Sequence, residues 1–299
     1  MCGIVGLFLK SPCMREALGG MFAPMLIEMT DRGPDSAGVA VYRGGERGRT
    51  KITAFHPRPD FDWNSLLGDA ESDRGERANV EVNGSHAVVT TNSVSIDIGK
   101  LEADFPGLQV MSVGQSIEIY KETGLPTEIA EAFKVSEMNG THAVGHTRMA
   151  TESAVTTAGS HPFSTGPDFC LVHNGSLSNH NRLRDLLRRR AGIEFKTEND
   201  TEVAAAFISH RLAAGQSLKA TLEDCVKELD GFYTFVVGTK NGFAVLRDPF
   251  ACKPAVLAET SGFVAFASEY RALASLPGIN EAEVWEPEPA VVYNWEKAA

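Results

Sequence analysis

Apolar positions in the first fifty residues form runs of strand length on either side of a helical stripe. The run GIVGLFL at 3–9 is continuously apolar, which predicts a buried strand. Apolar side chains recur at helical spacing through 14–29 and predict a core-facing helix, in which Pro24 is expected to kink the helix or end its first half. A turn-rich loop, DRGPDSAG, leads into a second predicted strand, AGVAVYRG.

A regular pattern of strands and helices also follows residue 141. Two predicted strands, THAVGHTRMA and DFCLVHNG, each end in polar and charged residues. Three amphipathic segments predict helices: SNHNRLRDLLRRR, TEVAAAFISHRLAA and SLKATLEDCVKEL. Two hairpins and a last strand come next: FYTFVVG-TKNG-FAVLRD, AVLAET-SG-FVAFAS and VVYNW. Helices flanking two β-rich layers predict an α+β fold built as a layered sandwich.

The segment from 46 to 138 has a weaker pattern than the rest of the chain. Strand-like pieces occur at 86–91 (HAVVTT) and 115–120 (QSIEIY), and a polar, acidic tract, DAESDRGER, lies at 69–77. We interpret residues 1–299 as one domain that carries an elaborating insertion at about 46–138.

Composition narrows the class of protein. The chain has 299 residues, 43% of them hydrophobic, and its net charge of -11 argues against a general binder of nucleic acid or of anionic membranes. It has no apolar run of membrane-spanning length, and we expect no signal peptide, because the N-terminus lacks a charged start and a cleavage site. Five scattered cysteines without a CxxC pair argue against a disulfide framework, a zinc site or an iron–sulfur cluster, so we expect a cytoplasmic protein. The histidines give no convincing metal spacing either, and His146, His161 and His173 each suit a hydrogen-bonded core position.

Cys2 directly follows the initiator methionine. Removal of that methionine would place a thiol and a free α-amine on one residue, and the amine, with a pKa of about 7.7–8.0, could act as base for its own side chain. The structural alternative is a small buried residue that opens a strand, because cysteine is among the most buried residue types.

Four other residues supply what a thiol needs to hydrolyse the amide of a zwitterionic substrate. Asn174 offers a side-chain amide and Gly175 an unobstructed backbone N–H for the developing oxyanion. Arg148 offers a guanidinium for a carboxylate, and Asp200 offers an anion for an ammonium. Carboxylate, ammonium and amide together describe glutamine or asparagine. Each residue also has a structural interpretation: a surface salt bridge for Arg148, a plain turn for Asn174-Gly175, and for Asp200 the cap of a helix starting near Thr201.

The order of these stretches resembles the class II glutamine amidotransferase domain, a member of the N-terminal-nucleophile hydrolases. The resemblance covers roughly the first 45 residues and about 140–275. The matching stretches are Cys2-Gly3-Ile4-Val5-Gly6, Arg32-Gly33-Pro34-Asp35-Ser36-Ala37-Gly38, Gly145-His146-Thr147-Arg148 with Ala150, Thr151 and His161-Pro162, His173-Asn174-Gly175 with Asn179-His180, Asp200-Thr201-Glu202-Val203, Leu229-Asp230-Gly231, Arg247-Asp248-Pro249 and Ser268-Glu269.

The resemblance implies a role for each of the principal site residues. Cys2 would be the nucleophile, and Asn174 and Gly175 would form the oxyanion hole. Arg148 would hold the glutamine carboxylate, while Asp200 would hold its α-ammonium. It further implies an αββα four-layer sandwich.

Three supporting positions follow from the same resemblance. Arg32 would support the nucleophile loop, and Thr151 and His161 would line the pocket. Met149 stands where some relatives carry an aromatic residue, and Glu152 where some carry a histidine. These two departures bear on the pocket wall and hence on substrate affinity.

Glutamine hydrolysis releases ammonia, which relatives pass to a second active site. No acceptor segment or cofactor motif follows in this sequence, so we expect the acceptor on another polypeptide. Length and overall resemblance favour the stand-alone amidotransferase subunit of a glutamate-synthase-like complex, with the small subunit of N-methylglutamate synthase as the most similar type. Its partners would be a flavin-dependent synthase subunit, which would hold FMN and iron–sulfur clusters, and a β-helical subunit.

Two other classes stay open. The chain could be an N-terminal-cysteine amidase acting on another amide, although such an enzyme would not need both Arg148 and Asp200. It could also be a structural or regulatory subunit whose glutaminase is silent until it docks on its partner.

Overall fold

The computed structural model describes residues 2–45, 48–66, 78–92, 96–150 and 154–297. The strands are β1 (Gly3–Leu9), β2 (Ser36–Tyr42), β3 (Thr50–Phe55), β4 (Asn79–Asn83), β5 (His86–Thr91), β6 (Gln109–Gly114), β7 (Ile117–Thr123), β8 (His142–Arg148), β9 (Phe169–Leu177), β10 (Gly231–Thr239), β11 (Gly242–Arg247), β12 (Val256–Glu259), β13 (Phe263–Ala267), β14 (Glu283–Trp285) and β15 (Val292–Glu296). The helices are α1 (Leu18–Glu28), α2 (Ile98–Asp104), α3 (Pro126–Ala132), α4 (His180–Ala191), α5 (Asp200–Ala213) and α6 (Leu218–Glu228).

Two antiparallel sheets form the centre of the molecule. The larger sheet has seven strands in the order β14-β12-β13-β1-β8-β2-β7, and the smaller has four in the order β15-β11-β10-β9. Ile4, Val144 and Phe266 of the larger sheet pack against Val172 and Phe243 of the smaller one. Because β1 is continuously apolar, it is buried on both faces and lies in the interior of its sheet.

Helices cover the outer faces of both sheets. Helices α1 and α3 pack on the seven-stranded sheet, and helices α4, α5 and α6 pack on the four-stranded one. The arrangement is therefore helix, sheet, sheet, helix, and the predicted αββα four-layer sandwich is confirmed. No helix in the described part of the chain is long and apolar enough to cross a bilayer.

The first helix begins later than predicted, and of the two effects expected of Pro24 an end to the helix does not occur. Residues 12–17 form a 3-10 helix, so α1 begins at Leu18 rather than at residue 14. The helix also continues through Pro24, which lies on its exposed side. The carbonyl that Pro24 deprives of a partner belongs to Gly20, which is exposed as well, so water can satisfy it and the helix need not end there.

The segment at 46–138 contributes to two different parts of the fold. Strands β3 to β6 form a separate four-stranded sheet in the order β4-β5-β3-β6, with a small core that includes Trp63 and Leu108. Strand β7 joins the edge of the seven-stranded sheet, where it pairs with β2. The acidic tract at 69–77 lies outside the described residues.

Candidate active site

Cys2 directly precedes β1 and lines a cavity of about 480 Å³. It is partly buried and lines the cavity, whereas the structural alternative expected a buried residue that opens the strand. Strand β8 runs antiparallel to β1 with Thr147 opposite Gly3, which brings the end of β8 beside Cys2. The cavity is lined by Cys2, Arg148, Met149, Ala150, His161, His173, Gly175, Ser176, His180, Glu198, Asn199, Asp200 and Thr201.

Two predicted site residues hold the backbone of Cys2. The Nε atom of Arg32 donates to the Cys2 carbonyl at 3.0 Å, and Nδ2 of Asn174 donates to the same oxygen at 3.2 Å. Arg32 is only 8% exposed and its guanidinium pairs with the carboxylate of Glu269. That hydrogen bond lowers the pKa of Glu269, which stays ionised beside Arg32.

Ser268, the residue before Glu269, fixes the backbone of β1 two residues after Cys2. The Ile4 N–H donates to the hydroxyl of Ser268 at 3.0 Å, and the Ser268 N–H donates to the Ile4 carbonyl at 2.9 Å. Ser268 and Glu269 therefore act together, because one fixes the backbone at Ile4 and the other fixes the arginine that holds Cys2.

Arg148 ends strand β8 inside the cavity. It is 6% exposed, so it is not the solvated partner of a surface salt bridge. Its guanidinium donates to the Ala154 carbonyl at 3.3 Å. The backbone that follows the arginine is tied to Asp35, whose N–H donates to the Arg148 carbonyl at 3.1 Å and whose carboxylate accepts from the Ala150 N–H at 2.7 Å. This support fixes the direction in which the arginine leaves the strand.

Asp200 is the first residue of α5 and not its cap. The cap is Asn199, whose side chain accepts from the Thr201 N–H at 2.9 Å. One carboxylate oxygen of Asp200 accepts from the Leu177 N–H at 2.8 Å, while the other lies 3.7 Å from Nδ1 of His173. The carboxylate is about one-fifth exposed, so it is anchored on one side and open to the cavity on the other.

Asn174 and Gly175 lie within β9, so the interpretation as a plain turn is wrong. They pair in register with Thr234 and Tyr233 of β10. Gly175 has a φ of +146°, and a Cβ atom there would lie 1.8 Å from the Phe232 carbonyl oxygen. Only glycine fits this position, and its N–H is free of any side chain that would crowd a ligand.

Three buried histidines form a hydrogen-bonded layer behind the cavity. The Thr201 hydroxyl contacts Nε2 of His161 at 2.9 Å and Nδ1 of His173 at 3.0 Å. The rings of His146 and His161 stack with their centres 4.0 Å apart, and Nε2 of His146 bonds to the His173 carbonyl at 3.0 Å.

The charge state of this layer follows from its burial. Burial lowers the pKa of His146 to about 3 and also lowers the pKa of His161 and of His173, although Asp200 opposes the shift at His173. The three rings are neutral at pH 7. Within the described residues, no group of three histidine, cysteine or acidic side chains is placed to hold a metal ion.

The structure thus brings five of the predicted residues to one cavity, namely Cys2, Arg148, His161, Gly175 and Asp200. Arg32 and Asn174 contact the backbone of Cys2 directly. Thr151 and Glu152 lie outside the described residues, and Met149 lines the cavity wall.

Sequence reasoning assigned no role to two residues that hold the site together. Thr201 joins two of the histidines, and Glu269 holds Arg32. Both lie inside stretches that matched the family motifs, and that match is the signal that could have found them.

Comparison with known proteins assigns the chain and its fold to one family. A family described as "Glutamine amidotransferase domain" matches residues 146–275. The "Glutamine amidotransferase-like protein GlxB" of Rhizobium meliloti is 55% identical over 298 residues, which cover 99% of this chain and 98% of that protein.

Two solved structures share the fold. A structure of the allosteric regulatory enzyme of purine biosynthesis aligns with a TM-score of 0.65 at 20% identity. Glutamine phosphoribosylpyrophosphate amidotransferase from B. subtilis aligns with a TM-score of 0.62, also at 20% identity. Each alignment covers 99% of this chain but only 47% and 49% of the respective solved chain. The chain belongs to the class II glutamine amidotransferases and has their N-terminal-nucleophile hydrolase fold.

Proposed function

We propose that this chain hydrolyses the side-chain amide of L-glutamine through a thioester on Cys2 and passes the ammonia to a partner synthase subunit. The observation that carries the first part is the shared cavity of Cys2, Arg148 and Asp200. A nucleophile, a cation and an anion around one space of about 480 Å³ match the amide, the carboxylate and the ammonium of glutamine.

The first half of the reaction forms the thioester. The α-amine of Cys2, free once the initiator methionine is removed, takes the thiol proton while the sulfur attacks the amide carbon. Negative charge develops on the amide oxygen, and the N–H groups of Asn174 and Gly175 stabilise it. The carbon–nitrogen bond then breaks, and the leaving nitrogen takes the proton from the α-ammonium and departs as ammonia.

The second half restores the enzyme. Water gives a proton to the α-amine and attacks the thioester carbon, and the carbon–sulfur bond breaks to release glutamate and return the thiol. Arg148 holds the substrate carboxylate and Asp200 its α-ammonium throughout, so the γ-carbonyl stays over the sulfur. His161 lines the wall of the cavity, and the pocket role of Thr151 stays a prediction from the family resemblance.

An exposed aromatic pair beside the cavity supports delivery of ammonia to a partner. Phe250 is 74% exposed and Phe232 about half exposed, and their ring centres lie 5.5 Å apart. Phe232 pairs in register with Ser176, next to Gly175 of the proposed oxyanion hole. Exposed aromatic side chains next to a reactive site are the kind of anchor that protein interfaces use.

Hydrogen bonds of Asp248 and Arg247 hold the loop that carries Phe250 in place. The buried carboxylate of Asp248 accepts from the Phe250 N–H at 2.8 Å and from the Tyr233 N–H at 3.0 Å. The guanidinium of Arg247 donates to the carbonyls of Pro287 and Lys253 at 2.9 and 2.8 Å. A preorganised loop presents its aromatic side chain at low entropic cost to a docking partner.

The proposed partner is a synthase of the glutamate synthase or N-methylglutamate synthase type. On this proposal, the flavin-dependent synthase subunit holds FMN and iron–sulfur clusters. The complex is completed by a β-helical subunit, and this chain holds no cofactor. The support for this finer assignment is the overall resemblance of the sequence to the stand-alone amidotransferase subunits of such complexes.

A glutaminase assay tests the first part of the proposal. The purified chain should release glutamate and ammonia from glutamine, Cys2→Ala should abolish this turnover, and Cys13→Ala, which removes an exposed thiol outside the cavity, should not. Turnover that survives Cys2→Ala would contradict the mechanism. An isolated chain that is silent but becomes active with the flavin-dependent subunit would instead indicate a gated glutaminase.

A further inference from the structure

Lys121 is a charged side chain that lies in the interior at the edge of the seven-stranded sheet. It is 4% exposed, and its ammonium donates to the carbonyls of Ser160 at 2.8 Å, Ala158 at 3.2 Å and Pro162 at 3.3 Å. It also stands 4.9 Å from the centre of the Phe163 ring. Within the described residues, no carboxylate lies within ion-pair distance of this ammonium. Its three N–H donors are matched instead by three backbone carbonyls of one loop.

That loop crosses the sheet directly beside Lys121. Gly38 of β2 lies between Lys121 of β7 and His146 of β8 in the strand register. A Cβ atom at Gly38 would lie 2.2 Å from the His161 carbonyl oxygen and 2.5 Å from Cβ of Lys121. The backbone of the loop can therefore pack directly against β2 only because position 38 has no side chain. The Lys121 ammonium bonds to the carbonyls of the two residues that flank His161, and the His161 ring stacks on that of His146.

The same loop forms one wall of the glutamine cavity. His161 lines the cavity and bonds through Nε2 to the hydroxyl of Thr201, next to Asp200. The Gly159 carbonyl accepts from the side chain of Asn199 at 3.4 Å, and Asn199 also lines the cavity. Movement of residues 158–162 would therefore shift the cavity wall near Asp200.

Two charged groups near Lys121 have opposite effects on its pKa. Glu202 of α5 favours the charged form, whereas Lys196 in the loop before α5 disfavours it. Glu202 is itself engaged by the Lys196 N–H at 2.8 Å and the Thr197 N–H at 2.7 Å. The two histidines that interact electrostatically with Lys121, His86 of β5 and His161 of the loop, are kept neutral by burial.

The remaining charged groups near Lys121 on the sheet have other partners. Glu118 of β7 pairs with Lys51, and Glu122 accepts from Ser85. Arg148 of β8 contacts the Ala154 carbonyl. Burial lowers the pKa of Lys121 to about 7, so its ammonium is lost as the pH rises through neutrality.

We infer that Lys121 is a positioning residue of the glutamine pocket, whose ammonium holds the 158–162 backbone in the conformation that binds substrate. A neutral amine has two N–H donors and a lone pair, so it cannot serve three carbonyls, and the loop relaxes. Glutamine affinity then falls as the pH rises past about 7, while the reactivity of the Cys2 thiol is untouched by this step. The inference rests on the proposed glutaminase function.

The test compares two reagents that alkylate Cys2. An electrophilic glutamine analogue needs the whole pocket, whereas iodoacetamide needs only an accessible thiolate. The ratio of the two rates cancels the titration of the thiol and of the α-amine, which affect both. In the unmodified protein this ratio should fall between pH 6 and pH 8.5.

Lys121→Met keeps an unbranched side chain that is one atom shorter and removes its charge and its three N–H donors. We expect a low ratio that no longer changes with pH, and a KM for glutamine raised roughly tenfold with kcat within about twofold. Lys10→Met is the matched control, because Lys10 pairs with Glu259 and does not line the cavity. That control should behave like the unmodified protein.

Each outcome decides the inference. A folded Lys121→Met protein with unchanged KM and unchanged ratio would overturn it. If that variant does not fold, the pH dependence of the ratio in the unmodified protein is the test. A ratio that is flat across pH 6 to 8.5 would overturn the inference, and a falling ratio would support it. A protein that reacts with iodoacetamide but never with the glutamine analogue would overturn the proposed function together with this inference.

Discussion

The guanidinium of Arg32 links Glu269 to the nucleophile residue, because it pairs with the Glu269 carboxylate and donates from Nε to the Cys2 carbonyl at 3.0 Å. Arg32 and Glu269 are 237 residues apart in the chain. The position of the nucleophile therefore depends on a contact between the two ends of the fold.

Removal of this carboxylate should loosen the nucleophile without removing any reacting group. We expect Glu269→Gln to lower kcat about tenfold with a small change in KM, because Arg32 loses the charge that orients it. Glu283→Gln, an exposed change on β14, is the control. Steady-state glutaminase kinetics of both variants give these values. An unchanged kcat in Glu269→Gln would show that Arg32 keeps its orientation without the charge of Glu269.

The ion pair between Arg32 and Glu269 should make the stability of the fold depend on pH in the acid range. Its hydrogen bond to Arg32 lowers the folded-state pKa of Glu269, so the pair's stabilisation is present above the unfolded pKa of about 4.3 and is lost as the pH falls through the folded value. Thermal unfolding of the unmodified protein and of Glu269→Gln should therefore converge as the pH is lowered below about 4.3. Two melting curves that keep a constant separation would count against this linkage.

A methyl group at position 175 should stop the reaction. Gly175→Ala places Cβ against the Phe232 carbonyl and forces β9 to move, so we expect loss of glutaminase activity and a fall in the free energy of unfolding of about 2 kcal/mol or more. The matched control is Gly20→Ala in α1, where a Cβ meets open space and should stabilise the helix by up to about 1 kcal/mol. Equal effects of the two changes would contradict the close approach at Gly175.

Arg148 should act on binding of substrate and not on the reactivity of the thiol. We expect Arg148→Ala to raise the KM for glutamine about a hundredfold, since a charge-assisted carboxylate contact is lost. The rate of Cys2 alkylation by iodoacetamide should not change. Arg189→Ala, which alters an exposed arginine of α4, is the control. An unchanged KM in Arg148→Ala would remove the residue from the substrate site.

Five buried histidines should make the protein sensitive to mild acid. Burial lowers the pKa values of His86, His142, His146, His161 and His173 below their ordinary value near 6.5. The unfolded chain binds protons there at pH values where the folded protein does not. The free energy of unfolding should therefore decrease as the pH falls from about 6.5, with an uptake approaching about five protons on unfolding. Calorimetry in buffers of different ionisation enthalpy measures this uptake, and a value near zero at pH 5 would contradict the burial of these rings.

Much of the fold could be predicted from local pattern. The strands at 3–9 and 86–91 are observed as predicted, because the apolar residues that signalled them are buried in the fold. The strand predicted at 115–120 is shifted to Ile117–Thr123, since pairing with β2 and not composition sets its ends. The start of α1 also differed, because the first four residues of the helical stripe adopt a tighter 3-10 turn.

Only those site residues that belong to recognisable sequence motifs could be predicted. Cys2, Arg148 and Asp200 carry recognisable chemistry at element ends, and the fold brings them to one cavity. Lys121 could not be found this way, because a lone lysine in a strand carries no signal of its own. Its function depends on the register of three strands and on the path of a loop some forty residues later in the chain.

The measurement that tests the central claim most directly is the intact mass of the purified chain before and after treatment with an electrophilic glutamine analogue. The mechanism predicts a chain without its initiator methionine that gains one adduct, and peptide mapping should place that adduct on Cys2. A chain that retains the methionine, or an adduct on any other cysteine while Cys2 stays free, would contradict an N-terminal cysteine nucleophile in a glutamine pocket.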